Sequence, residues 1–138
     1  MARAANRIAI DVSADAIWRV LSDFGAACRY LAMVVNCAIV GEGVGALRTL
    51  THAGGSTIVE RLETLDEVTQ RLSYALLTDT PFRDCLTTMA LRNLGSRQSE
   101  LEWSATFQPN GLPASEAVEM LEGLLSANSL ALKQFLER

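Results

Sequence analysis

The chain has 138 residues, of which 49% are hydrophobic and 20% charged, with a formal net charge of −4. That length suits a single domain over residues 1–138, and that apolar content supports a packed core and not a disordered chain. The acidic balance, with Lys and Arg scattered and never in runs, excludes nucleic acid as the main partner, because a phosphate backbone needs a concentrated basic face.

Residues 4 to 12 end in the alternating apolar positions Ile8, Ile10 and Val12, a strand pattern. Ser13 then suits a helix N-cap, and Asp15 sits in the first turn, where negative charge is favoured. Ile17, Val20, Leu21 and Phe24 follow at helical spacing. They predict a short helix over 14–23, ended by Gly25, and a second short helix is expected over 26–32. The period then changes. Strand-length runs cover Cys37–Val40, Ala46–Thr51, Thr57–Leu65, Gln70–Leu77, Cys85–Leu94 and Glu100–Gln108, separated by Gly, Asp, Asn or Pro. Short connections between consecutive strands make an antiparallel meander. Pro113 can open a last helix with Ser115 and Glu116 in its first turn. From there Val118, Leu121, Leu125, Leu132, Phe135 and Leu136 recur at helical spacing to the end of the chain, predicting a helix of about 23 residues and roughly 34 Å.

The predicted class is therefore α+β: a seven-stranded antiparallel sheet, two short helices after the first strand, and one long C-terminal helix to cover the apolar face. A strongly curved sheet that touches a helix along one line leaves space on either side, which is a candidate pocket.

Gly41-Glu42-Gly43-Val44-Gly45 is the one glycine-rich run. A phosphate loop needs a strand that feeds a tight turn opening a helix. Here strand-like runs flank the glycines, and the Lys-Ser or Lys-Thr of a P-loop is missing. The run is predicted to be a hairpin connection in which glycine supplies positive φ. His52–Ser56 is expected to form the next turn and Asp66-Glu67 the one after.

Cys28, Cys37 and Cys85 are odd in number and not spaced as a metal knuckle or redox pair. They read as buried free thiols of a reducing compartment. No apolar run follows Met1-Ala2-Arg3, and no segment reaches about 18 apolar residues without charge. A cytoplasmic protein with no transmembrane segment is expected. His52 is the single histidine, which excludes a multi-histidine metal site; no metal and no cofactor are expected.

The order of elements, together with several short motifs, resembles the START/Bet v 1-like (SRPBCC) superfamily with its helix-grip fold, including bacterial polyketide cyclase/dehydrase-type members. The residues that carry the resemblance are Ile17–Phe24, Gly43–Arg48, Glu60–Asp66, Tyr74, Pro81, Trp103 and Phe107–Gly111. The segment Glu60-Arg61-Leu62-Glu63-Thr64-Leu65-Asp66 is similar to one in the plant abscisic acid receptors. The resemblance implies a sheet wrapped around the C-terminal helix and a deep pocket for a lipid, sterol, polyketide or quinone-like molecule.

Strand alternation and this resemblance together nominate the lining. Arg48, Leu50 and His52 share a face, as do Ile58, Glu60 and Leu62, then Leu72, Tyr74 and Leu76, then Leu101, Trp103, Ala105 and Phe107. Glu100, Glu102, Ser104 and Thr106 are expected to meet water. Tyr30 and Met33 are candidates to point inward from the second short helix, and Phe82 from the loop 78–83. By resemblance to the receptors, the ridge Met120, Leu124, Asn128 on the long helix faces the pocket. The loops 52–56 and 78–83 correspond to the receptors' gating loops, although the first is shorter and lacks their Ser-Gly-Leu-Pro pattern. Asn128 is open to two readings, a solvated helix edge or a ligand contact. Glu60 and Arg48 fit a structural ion pair or a reactive one. His52 is an exposed turn residue or, if inward, a proton shuttle. The expected function is binding a small hydrophobic or amphipathic molecule as carrier or sensor. The alternative is a cyclase, aromatase or dehydratase with Glu60, His52, Arg48 and Tyr74 as candidate catalytic groups. A homodimer is left open.

Overall fold

The computed structural model describes all 138 residues. Seven strands, β1 (Ala2–Ile10), β2 (Val34–Val40), β3 (Leu47–His52), β4 (Thr57–Asp66), β5 (Arg71–Leu76), β6 (Phe82–Gly95) and β7 (Gln98–Pro109), form one antiparallel sheet. Its order is β1-β7-β6-β5-β4-β3-β2. Helix α1 (Ala14–Leu21) and a 3-10 helix (Phe24–Arg29) link β1 to β2, and the 23-residue helix α2 (Ala114–Leu136) ends the chain. This is the α+β helix-grip arrangement.

Ser13 caps α1, its Oγ accepting the Ala16 N–H at 3.2 Å. The helix stops at Leu21, with Ser22 as its C-cap, so Gly25 does not end it. Gly25 instead lies inside the 3-10 helix, where an added Cβ would stand 3.0 Å from the Ile39 side chain. Glycine is present there because backbone and strand approach closely. The second short helix runs Phe24–Arg29, earlier than the 26–32 expected. Its last turns give way to Met33, whose φ of 63° takes the chain out of helix and into β2. In the glycine run, Gly41, Gly43 and Gly45 have φ of 90°, 63° and 94°. Such positive angles cost glycine least, and the run connects β2 to β3 as a turn.

Helix α2 packs on β1 and, to a lesser extent, on β7. Its buried stripe is Ala117, Leu121, Leu125, Ser129 and Leu132. Side chains of α2 also satisfy the unpaired edge of β1. Glu122 accepts the Ala5 N–H at 3.3 Å, Lys133 donates to the Ala9 carbonyl at 3.1 Å, and Glu137 accepts the Asp11 N–H at 2.8 Å. An exposed sheet edge is a template for unwanted pairing, and covering it removes that hazard. Because the helix is fastened at the β1 end, it does not fill the hollow of the sheet over β3 to β6.

The strand register places Leu101, Trp103, Ala105 and Phe107 of β7 in the core at 0–2% exposure. Glu100 and Glu102 lie on the outer face, where they pair with Arg92 and with Arg3 and Arg7. Two of the sheet's four register shifts lie beside the cavity. One falls between Leu62 and Thr64 of β4, the other between Arg83 and Leu86 of β6. Asp84 in the second bulge has a φ of 52°. Phe82 therefore faces inward before it, and Cys85, Thr87 and Met89 after it.

Candidate functional site

The hollow left beside α2 is a cavity of about 380 Å³ lined by 20 residues, 15 of them hydrophobic. Strands β3 to β7 supply Leu50, His52, Ile58, Glu60, Tyr74, Leu76, Phe82, Cys85, Thr87 and Trp103. Helix α2 supplies Leu121, Leu124, Leu125, Ala127 and Asn128, and the segment before β2 supplies Leu31, Ala32 and Met33. Tyr74, Trp103, Cys85 and Thr87 are buried and form the floor, whereas Met33 and Leu124 are largely exposed and mark the rim.

One buried ionic cluster underlies the floor. Arg48 is 2% exposed. Its Nε donates to Glu60 Oε1 at 2.9 Å, and a second guanidinium nitrogen stands 2.8 Å from the same oxygen. A third nitrogen donates to the Phe24 carbonyl at 3.1 Å. The guanidinium carbon lies 3.9 Å from the Phe24 ring centroid and 4.7 Å from that of Tyr74. Burial alone would lower the Arg48 pKa, but Glu60 and the two phenols outweigh it, and the net shift is upward. Arg48 and Glu60 face each other directly across β3 and β4, which makes the pair a consequence of register.

Glu60 lines the cavity, while Arg48 stands behind the wall. Glu60 Oε1 is occupied by Arg48, and Oε2 accepts no hydrogen bond from the protein. Tyr74 Oη accepts from Trp103 Nε1 at 3.1 Å, so its own hydrogen is left to donate elsewhere. Burial pushes the phenols of Tyr74 and Tyr30 above the usual tyrosine value, with Glu60 adding to the rise and Arg48 opposing it. Tyr74 is therefore a hydrogen-bond donor at neutral pH and not a base. His52 Nδ1 is buried without a partner. Asn128 Oδ1 accepts the Ala32 N–H at 2.9 Å, which ties α2 to the segment before β2. Asn128 thus sits neither on a solvated edge nor wholly in the cavity; it fastens the wall and also lines it.

Of the nominated residues, Met33, Leu50, His52, Ile58, Glu60, Tyr74, Leu76, Phe82, Trp103, Leu124 and Asn128 meet around the cavity. Arg48, Tyr30, Leu62, Phe107 and Met120 do not line it. Leu62 is bonded through its backbone to Gly45 and Ala46 and is buried in the core. Phe107 packs edge-on against Phe82 at 5.3 Å and lies behind it. Tyr30 is buried beside Arg48. Met120 is 47% exposed, because the inward stripe of α2 is Leu121 and Leu125, one position on. Those two leucines were visible in the helical apolar spacing. Cys85 and Thr87 fall in the run 85–94, where both faces carry apolar residues and spacing alone does not choose the inward one. The loop 78–83 is held by Asn110, whose side chain donates to Asp79 at 3.2 Å and to the Thr80 carbonyl at 3.1 Å. At the other turn, Gly54 and Gly55 have no neighbour within 4 Å of where a Cβ would lie. No three of His, Cys, Asp and Glu cluster as metal ligands, and no helix is long and apolar enough to cross a membrane.

A curved sheet gripping one terminal helix around an apolar hollow defines the START/Bet v 1-like superfamily. Within it, the model of the family described as polyketide cyclase / dehydrase and lipid transport matches residues 1–138, and the chain belongs to that family. The protein XoxI of Bacillus cereus has a similar structure at 26% identity, with a TM-score of 0.89 over 97% of this chain and 94% of that one. A START superfamily protein of Mycobacterium smegmatis matches at 16% identity, TM-score 0.84, covering 98% of this chain and 97% of that one. The ZhuI aromatase/cyclase of Streptomyces sp. R1128 matches at 21% identity, TM-score 0.76, over 97% and 90%.

Truncating Glu60 to Ala leaves the Arg48 charge buried and unpaired. This is expected to cost about 3–5 kcal/mol in urea denaturation, whereas the double change Arg48→Met, Glu60→Leu is expected to cost far less. Equal losses in the two variants would contradict the pairing. Tyr30 and Tyr74 are the chain's two tyrosines, and both have raised folded-state values. The folded state holds these protons more tightly than the unfolded chain does, so the stability they contribute is present below about pH 10 and falls as pH rises above it. No tyrosinate absorbance is expected from the folded protein near pH 10; its appearance there before unfolding would contradict the burial.

Proposed function

We propose that this protein binds a small hydrophobic or amphipathic molecule in the cavity between the sheet and α2, as a carrier or sensor. The observation that carries the reading is the cavity itself: about 380 Å³, with 15 hydrophobic residues among 20 in its wall. Sites for small molecules are concave and mostly apolar, with a few placed polar groups. The family description, which joins cyclase, dehydrase and lipid transport, fits a hollow of this kind. Arg48 is spent on Glu60, and Tyr74 is held protonated. These states favour holding a molecule over transforming one.

The test is native mass spectrometry of protein purified gently from cells, paired with titration of an environment-sensitive apolar dye. An apolar mass or dye is expected to occupy the protein, and Ile58→Trp, which fills the wall, is expected to weaken dye binding at least about tenfold. Failure of the unaltered protein to take up either would refute the reading.

A second reading, a ring-closing or dehydrating enzyme, draws on one observation: His52 lines the cavity with a buried, unpartnered Nδ1. A general base contributes typically 10²–10⁴-fold. Under this reading His52→Ala lowers turnover of a polyketide-like substrate about a hundredfold or more, far beyond its effect on dye affinity. Turnover that survives the change removes His52 as the base.

A further inference from the structure

The polar floor of the cavity allows a narrower statement about the ligand, one that rests on the binding reading above. Apart from His52 Nδ1 at the end of β3, two groups of the floor keep hydrogen-bonding capacity that no protein partner uses. Glu60 Oε2 is an open acceptor, since Arg48 engages only Oε1. Tyr74 is an open donor, since Trp103 already donates to its oxygen. Glu60 stands opposite Leu76 and Leu62 opposite Tyr74 on the paired strands β4 and β5. Glu60 and Tyr74 are therefore diagonal neighbours on one face, about 7–8 Å apart at the backbone. Tyr74 is only 5% exposed, so its donor has little access to bulk water.

No Lys or Arg side chain lines the cavity, and His52, the one basic side chain in its wall, lies at the end of β3, four residues along the strand from Arg48. Arg48, the buried basic group nearest, stands behind Glu60 and is committed to Glu60, the Phe24 carbonyl and two rings. The negative charge of Glu60 is already compensated by that guanidinium. A ligand head group that satisfies both open positions must donate to Glu60 and accept from Tyr74. A carboxylate cannot donate, and it would place a second anion against Glu60. An ammonium cannot accept from Tyr74. A hydroxyl does both. We infer that the cavity selects a neutral molecule whose apolar body carries an alcohol or phenol at its buried end, held between Glu60 Oε2 and Tyr74 Oη, and that it discriminates against carboxylic acids of the same shape.

Four probes sharing one ring system test this: naphthalene, 2-naphthol, 2-naphthoate and 2-naphthylmethylammonium, titrated against the purified full chain at neutral pH. The expected order places 2-naphthol about tenfold or more tighter than naphthalene, as a hydrogen bond to a charged acceptor would give. The naphthoate is expected to be at least about tenfold weaker than the naphthol, with the ammonium also behind it. Tyr74→Phe, which keeps the ring over Arg48, is expected to shrink the ratio of naphthol to naphthalene affinity about threefold or more. The ratios on the unaltered chain decide the matter even if that variant does not fold. Naphthol and naphthalene binding equally, or the naphthoate or ammonium binding tightest, overturns the head-group assignment and leaves the cavity reading standing. No binding by any of the four overturns the cavity reading and this inference together.

Discussion

A guanidinium with almost no access to water organises this molecule. Taking Arg48 out of water costs several kcal/mol, and that cost is offset only if its hydrogen bonds and charge are met inside. They are met from three directions: Glu60 on β4, the Phe24 carbonyl in the 3-10 helix, and the faces of Phe24 and Tyr74. Each aromatic face adds on the order of 1–2 kcal/mol when desolvated. The connection between β1 and β2 is thereby locked to β3, β4 and β5. The same cluster sets the state of the cavity floor. It leaves Glu60 with one occupied oxygen, and Tyr74 as a protonated donor.

The cavity exists because two other constraints pull the covering helix away from the centre of the sheet. The edge of β1 needs hydrogen-bond partners, and α2 provides them through Glu122, Lys133 and Glu137. The stripe Leu121, Leu125, Leu132 then packs over β1 and β7. The sheet curves on past the helix, and the span between them is bridged at one point by Asn128 bonding the Ala32 backbone. That bond closes part of the wall without filling the interior. A bulkier apolar residue at 128 would lose the bond and leave the Ala32 N–H without its partner.

Much of this arrangement was legible in the residues, because period and capping chemistry are local. Ser13 as a cap, α2 as a single 23-residue helix, and the inward face Leu101, Trp103, Ala105, Phe107 all follow from spacing. The glycine run as a turn followed from the absence of a helix after it. What was not legible depended on contacts between distant segments. Gly25 looked like a helix stop and is a close approach to Ile39. Both faces of 85–94 carry apolar residues, so spacing alone could not choose Cys85 and Thr87 for the cavity. On α2, three- and four-residue spacings outline neighbouring ridges. Only packing on β1 decides that Leu121 and Leu125, and not Met120, turn inward.

The hollow is also a thermodynamic burden, and that bears on what it is for. Interiors normally pack to crystal-like density, and an unfilled void costs about 24 cal/mol per Å³. Even a modest dry fraction of a 380 Å³ space therefore costs several kcal/mol, against a total stability of roughly 5–15 kcal/mol for a domain of this kind. Water can meet Glu60, Tyr74 and His52, but it finds few partners along the leucine, valine, phenylalanine and methionine of the remaining wall. An apolar occupant restores the missing contacts and leaves its polar end to Glu60 and Tyr74. Binding and folding are then coupled: whatever enters raises the stability of the folded chain by mass action. The geometry that makes the protein receptive thus works against its own packing optimum, and Arg48 keeps the floor in place.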